Sequence, residues 1–448
     1  MIQRLSAFFY IRPGEAFRVS VMASLLFFLI AANNLIKILR DSLFLSGHSV
    51  SELPYLYILV AVLAGGVIAT YTKYTANLSL IRVILATNAI ILSNIAFFWF
   101  LLTYFDPGWS HYAFYIWSAM ASVIAVAQLW TLANQIFTVE EGARLFGLLT
   151  SGGTLGGAAA GFGAKWSLHL SAESSHFFWV IAGLYLAASA LLFWAEPRVG
   201  GKRSEKTLEL LEKPEDDSAS NIGELLTGSR YLKTIALLIL VSVVVSTLID
   251  FQLKAAAKQT YPSREVLAGF FSSYYAWLSV ATFFAQVVLT GRALSTLGLI
   301  PSLYLTPGAL LTGSMAVMIW PSLLAAALTR MADATLRNSI HRSGMEIIYM
   351  AVPAGVIRRV KSFLDVVVER IGDASAGFII LLFSLSPLAR YVTYVHFICV
   401  ALIFVWVVLI QFLKLGYSEA LREGWAPQEL PLGDDWLASN QTKRSLGD

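Results

Sequence analysis

The chain is predicted to fold as an all-α polytopic membrane protein, with about twelve transmembrane helices in two six-helix halves. Three observations predict it. Of 448 residues, 57% are apolar and only 13% are Asp, Glu, Lys or Arg, against roughly 25% charged in a soluble domain. Apolar runs of the roughly 20 residues that cross a bilayer recur along the sequence. One long, doubly charged stretch, 196–230, divides these runs into two sets of six. The composition excludes an ordinary soluble enzyme. The net charge of +4 is small and falls mostly between apolar runs, which reads as membrane topology and not as nucleic-acid binding.

Apolar runs bounded by Gly, Pro and charge place spans near 18–45, 53–71, 79–103, 112–137, 145–168, 177–195, 231–256, 266–290, 297–319, 321–350, 364–388 and 391–413. The expected organisation is therefore an N-terminal half (1–195), a cytoplasmic linker (196–230), a C-terminal half (231–415) and a cytoplasmic tail (416–448). Of the 32 Lys and Arg, 21 fall on the side assigned to the cytoplasm, five on the other side and six within spans. Cytoplasmic loops carry the basic excess, so both termini are expected in the cytoplasm, across a bacterial-type inner membrane. No A-x-A-like cleavage site precedes the first span, and Ala7–Ile11 is expected to lie along the inner leaflet. The single cysteine, Cys399, permits no intrachain disulfide.

A charged group at mid-membrane costs at least about 2.5–3.5 kcal/mol and needs a partner or a wet cavity. Here such groups cluster. Span 1 carries Asn33, Lys37, Arg40 and Asp41 on one broad face, with Lys37 and Asp41 one turn apart. Span 10 carries Arg330, Asp333, Arg337 and His341 as one stripe, and span 7 carries Ser242, Ser246, Asp250 and Lys254 at steps of four. Span 4 offers Gln128, Thr131 and Gln135, flanked by Trp130 and Asn134. Spans 1, 4, 7 and 10 hold the same place in each three-span unit, so they are expected to line a central cavity. Its five basic and three acidic groups leave a positive balance, which implies an anionic solute. The competing reading makes Arg330–Asp333–Arg337 and Lys37–Asp41 structural ion pairs that set register or close a gate. His341 is expected as a satisfied polar residue, and Glu369, Arg370 and Asp373 as interdomain contacts.

The halves also carry a short internal match: Thr131–Phe137 and Thr335–His341 agree at four of seven positions. The run Gly147–Thr154 has Gly153 where a phosphate loop needs lysine, so no Walker A site is assigned. Gly152 and Gly156, and Gly153, Gly157 and Gly161, are read instead as two small-residue packing faces. With no ATP-hydrolysing motif, the energy source is a gradient or an exchanged solute. The spacing of His48, His111, His169 and His176 fits no metal site. No metal, cofactor or catalytic constellation is assigned. Tyr71, Trp99, Trp109, Trp194 and Trp320 are read as interfacial anchors.

Several features in order carry a family resemblance. Pro13-Gly14-Glu15 precedes span 1, Leu39-Arg40-Asp41 comes late in it, and Trp130-Thr-Leu-Ala133-Asn134 runs into Glu140-Glu141-Gly-Ala143-Arg144-Leu145-Phe146. The chain resembles the ATP/ADP translocase (nucleotide transporter) family over its whole membrane portion. The resemblance implies a major-facilitator-like fold, alternating access between halves, and nucleotide exchange. Members that exchange nucleotides follow the Leu-Arg-Asp with Thr-Lys-Asp, whose lysine helps to bind phosphate. This chain has Ser42-Leu43-Phe44, and Lys37, one turn earlier, is expected to substitute for that lysine. The segment Tyr71–Leu80 also lacks the Gly and Asp of the wider superfamily signature.

The expectation is a secondary active transporter, not an enzyme, that moves an organic anion as a monomer in the lipid bilayer, and the resemblance implies that the anion is a nucleotide, with ATP exchanged for ADP. Lys37, Arg40, Arg330 and Arg337 are expected to bind phosphate or carboxylate, arginines suiting two-pronged contact. Asn134, Gln128 and Trp130 are expected on a base or other polar body. Asp41, Asp250, Lys254 and Asp333 are expected to couple or gate. The rival expectations are a carrier of another anionic solute or lipid precursor, and a non-transporting scaffold or sensor.

Overall fold

The computed structural model describes residues 12, 15–75, 78–170, 173–199, 222–352, 356–357, 360–361, 363–384 and 391–422. The interfacial segment expected at Ala7–Ile11, most of the 196–230 linker and the tail beyond 422 lie outside the described residues.

Each expected span falls on a helix, and most helices run a turn or two beyond the apolar stretch. The first six are α1 (Ala16–Gly47), α2 (Leu53–Thr75), α3 (Leu80–Tyr104), α4 (Trp109–Ile136), α5 (Val139–His169) and α6 (Phe177–Val199). A short α7 (Ile222–Gly228) precedes α8 (Arg230–Thr260). Then α9 (Arg264–Phe284) passes through a π-helical turn, Ala285–Leu289, into α10 (Thr290–Thr296), and α11 (Leu299–Ile319) follows. A second π turn, Arg337–His341, joins α12 (Leu323–Leu336) to α13 (Arg342–Met350). A third, Phe363–Val368, opens α14 (Glu369–Ser384), and α15 (Tyr391–Arg422) is last. Among the described residues, ten helical runs are long and apolar enough to cross a membrane. Of the twelve expected spans, those at α12–α13 and at α14 are not among the ten. They carry Arg330, Asp333, Arg337, Arg342 and Glu346, and Glu369, Arg370 and Asp373, which lower their hydropathy where the polar faces lie.

Packing gathers the described residues into two compact units that do not follow chain order. One holds those within Met1–Ser49, Gly66–Ser218 and Tyr261–Phe283; the other holds those within Val50–Gly65, Ala219–Thr260 and Phe284–Asp448. Two stretches therefore pack away from their neighbours in sequence, and glycines are the reason. In the first unit a Cβ on Gly157 would stand 2.6 Å from Ser279 Oγ, and one on Gly161 2.8 Å from the Ala276 backbone nitrogen. In the second, a Cβ on Gly377 would stand 2.9 Å from the Pro54 carbonyl oxygen. Each is closer than a side chain tolerates.

The other small-residue face of α5 seats α1. A Cβ on Gly152 would meet the Ala23 carbonyl oxygen at 2.7 Å, and one on Gly156 would overlap that of Phe27. Backbone cannot yield as a side-chain tip can, so Gly156→Ala is expected to cost about 1–3 kcal/mol by overpacking. Gly163→Ala, with nothing within 4 Å of the added carbon, is expected to be neutral or slightly stabilising. Thermal unfolding of the two purified variants checks the contrast.

The start of α5 is fixed by a capping box. Thr138 Oγ1 accepts from the Glu141 backbone N–H at 3.3 Å, and Glu141 Oε2 accepts from the Thr138 N–H at 3.0 Å. Arg18 Nη2 of α1 adds a 2.8 Å contact to Glu141 Oε1. That hydrogen bond, above the other influences on it, holds the Glu141 carboxyl below the usual carboxylate range. A lowered pKa in the folded state adds stability above the unfolded value of about 4.3, which is lost as pH falls through the lowered value. Wild type is therefore expected to melt above Glu141→Gln at neutral pH, by under about 1 kcal/mol. The gap should close in acid, as a pH series of melting temperatures would record.

Candidate functional site

In the first unit α1 is buried on most of its surface through its middle, so its polar side chains must be met by neighbours. Asn33 Oδ1 accepts from Ser122 Oγ, and Asn34 Nδ2 donates to Ser279 Oγ at 3.2 Å. Asp41 is almost fully buried and accepts from Arg40 Nε at 2.9 Å and Tyr275 OH at 2.8 Å. The Arg40 guanidinium lies 4.6 Å over the Tyr115 ring, a cation–π placement that suits a partly desolvated arginine. Lys37 is half-buried one turn before Asp41.

Span 4 divides its polar residues between faces. Gln128 is buried, with Nε2 donating to Thr87 Oγ1 at 2.8 Å and Tyr71 OH at 3.0 Å. Its amide nitrogen ties α4 to α3 and to Tyr71 inside the unit. Tyr71, expected as an interfacial anchor, accepts that bond. Trp130 meets the Phe146 ring edge-on at 5.6 Å. Asn134 and Thr131 are exposed on another face of the helix. Trp109, Trp194 and Trp320 are exposed.

The second unit contains a ladder of alternating charge across α8 and α12. Lys254 Nζ lies 2.8 Å from Asp250 Oδ2, and Arg330 Nε 3.1 Å from Asp250 Oδ1. Arg330 Nη1 reaches Asp333 Oδ2 and, at 3.1 Å, Ser246 Oγ. Ser246 Oγ donates to the same Asp333 oxygen at 2.5 Å. Arg337 Nη2 donates to Asp333 Oδ1 at 3.2 Å and to the Ser242 carbonyl at 2.7 Å. Three cations and two carboxylates thus alternate in the order Lys254, Asp250, Arg330, Asp333, Arg337. Asp333 is fully buried, while Arg330 and Arg337 keep 22% and 23% of their side chains exposed. The carboxylate is enclosed, while the two arginine side chains that share it stay partly exposed.

The four-residue steps of span 7 and the three- and four-residue steps of span 10 appear as real contacts: Asp250–Lys254, Arg330–Asp333 and Asp333–Arg337. The cross-helix partners do not follow from spacing. Tyr57 OH, which donates to Asp250 Oδ2 at 3.2 Å, and Tyr275 come from helices that no periodicity pairs with these carboxylates, and sequence reasoning missed both. Asp373, expected as an interdomain contact, lies inside the second unit. It accepts from Thr247 Oγ1 at 2.8 Å and pairs with Arg370 at 2.9 Å, because Gly372 brings α14 close to Val243 of α8. His341 is buried with its ring edge-on to Trp406 at 5.5 Å. Its Nδ1 has no hydrogen-bond partner among the described residues, contrary to the satisfied role expected for it.

The family described as TLC ATP/ADP transporter matches residues 96–362. That is more than half of the chain, and it contains the whole ladder. The chain belongs to the TLC ATP/ADP transporter family. It is similar to ADP,ATP carrier protein 2 of Chlamydia pneumoniae, at 23% identity over 72% of this chain and 69% of that one. ADP,ATP carrier protein 4 of Rickettsia prowazekii is 24% identical over 72% and 71%. Against the chloroplastic ADP,ATP carrier protein 1 of Arabidopsis thaliana it is 23% identical, spanning 55% of that longer protein. Among solved structures, the nucleoside transporter NupG overlays with a TM-score of 0.60 at 12% identity, over 88% of this chain and 99% of that one. A bacterial homologue of the lysosomal transporter Spinster overlays at 0.57 and 12%, over 93% and 99%. These likenesses give a TLC-family chain the major-facilitator-like fold. The family match begins within α3, so it takes in Arg330, Asp333 and Arg337 but not Lys37, Arg40 and Asp41.

Proposed function

We propose that this TLC-family transporter exchanges ATP for ADP by alternating access, and that the charge ladder of the second unit binds the polyphosphate. The observation that carries the assignment is Asp333, a fully buried carboxylate shared by two arginines that each keep an exposed face. Phosphate oxygens entering there compete with Asp333 and Asp250 for the guanidinium forks. Binding therefore loosens the ladder, and a ligand that prefers the loosened state shifts the protein toward it. The ladder carries one positive charge in excess, which favours an anion. In this reading gate and binding site are the same groups.

Lys37 and Arg40 supply the cations of the first unit, with Asp41 holding Arg40 in place. Lys37 takes the role of the family's missing lysine after Leu39-Arg40-Asp41. Asn134, Gln128 and Trp130 are assigned to a base or other polar body of the substrate. Asp250 and Lys254 couple or gate. The exchange takes place across a bacterial-type inner membrane, with both termini cytoplasmic, as the basic residues of the assigned inner loops favour, and with a monomer as the working unit. Ser42-Leu43-Phe44 in place of Thr-Lys-Asp favours one second reading, a carrier of another anionic solute or of a lipid precursor.

Proteoliposomes loaded with ADP are expected to take up labelled ATP, and empty ones to take up little. Arg337→Glu is expected to lower that rate by at least about thirtyfold, since breaking a desolvated charge contact costs about 2–5 kcal/mol. Uptake by Arg337→Glu at the parental rate would falsify the assignment of the ladder. Exchange confined to other anions or lysolipids would transfer it to the second reading.

A further inference from the structure

We infer that a cavity beside Arg337 in the second unit receives the nucleobase of the transported nucleotide. This rests on the nucleotide reading above and adds where one part of the substrate goes. The cavity, about 300 Å³, lies among α8, the π turn Arg337–His341, α13 and the start of α14. Its apolar wall is Ile239, Val243 and Met345, and its polar wall includes the carboxylates of Glu346, Asp365 and Glu369. Tyr349 OH donates to Asp365 Oδ1 at 2.7 Å, and Lys361 Nζ lies 2.6 Å from Glu346 Oε2.

Two nitrogens among the lining residues, His341 Nδ1 and Arg337 Nε, are buried without a partner among the described residues. His341 is only 6% exposed. Both are enclosed by protein and closed off from the cavity, so a ligand there is met by the other polar groups of the lining.

The lining also says which part of a nucleotide fits. Three carboxylates outnumber the two guanidiniums of Arg337 and Arg342, which disfavours a polyphosphate. Carboxylates only accept hydrogen bonds, whereas the guanidiniums of Arg337 and Arg342 only donate. A flat heterocycle with an amine donor and ring-nitrogen acceptors meets both, and its faces meet Val243 and Met345. Arg337 belongs to cavity and ladder at once, since its Nη2 is bonded to Asp333 and to the Ser242 carbonyl. A base in the cavity therefore directs the phosphates along the ladder toward Arg330.

Equilibrium binding of ATP, inosine triphosphate and inorganic tripolyphosphate to the purified full-length protein tests the assignment. Wild type is expected to bind ATP at least about tenfold tighter than tripolyphosphate. Met345→Trp, which fills the cavity, is expected to bring ATP to within about threefold of tripolyphosphate, whose own affinity changes little. Glu369→Gln, which removes an acceptor without filling space, is expected to reduce the preference for ATP over inosine triphosphate by about tenfold, and it serves if the tryptophan variant does not fold. Equal binding of ATP and tripolyphosphate by a wild type that still exchanges ATP overturns the base site alone. Retention of the wild-type preferences in both variants does the same. Failure of ATP and tripolyphosphate alike to bind overturns the nucleotide reading and the base site with it.

Discussion

Asp333→Ala is expected to destabilise the protein by about 3–5 kcal/mol, the largest single effect foreseen in the second unit. The carboxylate is fully buried and accepts from Arg330, Arg337 and Ser246. Its loss leaves two guanidiniums and a hydroxyl facing a space with no acceptor. The native contacts themselves do not make the ladder a source of stability, because desolvating five charges offsets most of what their attraction returns. Arg330→Met, Asp333→Leu and Arg337→Met together are therefore expected to recover most of the stability that Asp333→Ala loses. Thermal unfolding followed by intrinsic fluorescence measures this directly. The triple variant should nonetheless fail to exchange ATP for ADP. If it folds and transports at the wild-type rate, the ladder is a structural ion network and its role in binding is refuted.

Arg330→Lys is expected to lower exchange by about ten- to a hundredfold although the charge is kept. Arginine bridges two helices here: Nε faces Asp250 on α8 while Nη1 faces Asp333 on its own helix and Ser246 opposite. Lysine brings one ammonium point charge and cannot hold both carboxylates in that planar geometry. Losing one charged hydrogen bond is worth about 1.5–3 kcal/mol, which sets the scale of the change. Initial rates in ADP-loaded proteoliposomes, taken over a range of ATP concentrations, separate a loss of affinity from a loss of turnover. A lysine variant with wild-type KM and rate would show that charge alone suffices.

The fold was legible because a membrane span announces itself through length and apolarity alone. Each of the twelve runs marked in the sequence is helical over its described residues, including the polar runs at α12–α13 and α14. Within a helix, spacing also gave the contacts, since residues three and four apart must be neighbours. Arg330, Asp333 and Arg337, and Asp250 and Lys254, followed from that rule. What spacing could not give was the docking of one helix against another. Ser246 meeting Asp333, Arg330 meeting Asp250, and the tyrosines 57 and 275 depend on rotations and tilts that small residues such as Gly157, Gly372 and Gly377 permit. Gln128 shows the same limit from the other side. Its polarity was plain, but only the packing of α3 on α4 determines that its amide is occupied by Thr87 and Tyr71. The wide turns were also illegible, since no residue at 285–289, 337–341 or 363–368 marks the change of winding.

Two of those turns lie against each other. Gln286, in the turn Ala285–Leu289, donates through Nε2 to the Asn338 carbonyl oxygen at 3.2 Å, in the turn Arg337–His341. A π turn admits an extra residue and disturbs the regular bonding of the helix around it. Here a side chain from one disturbed segment reaches a carbonyl in the other. A change of winding in either helix therefore meets the other through this bond. Arg337 is the first residue of one of these turns, so the last rung of the ladder stands on a stretch of helix that its neighbour also holds.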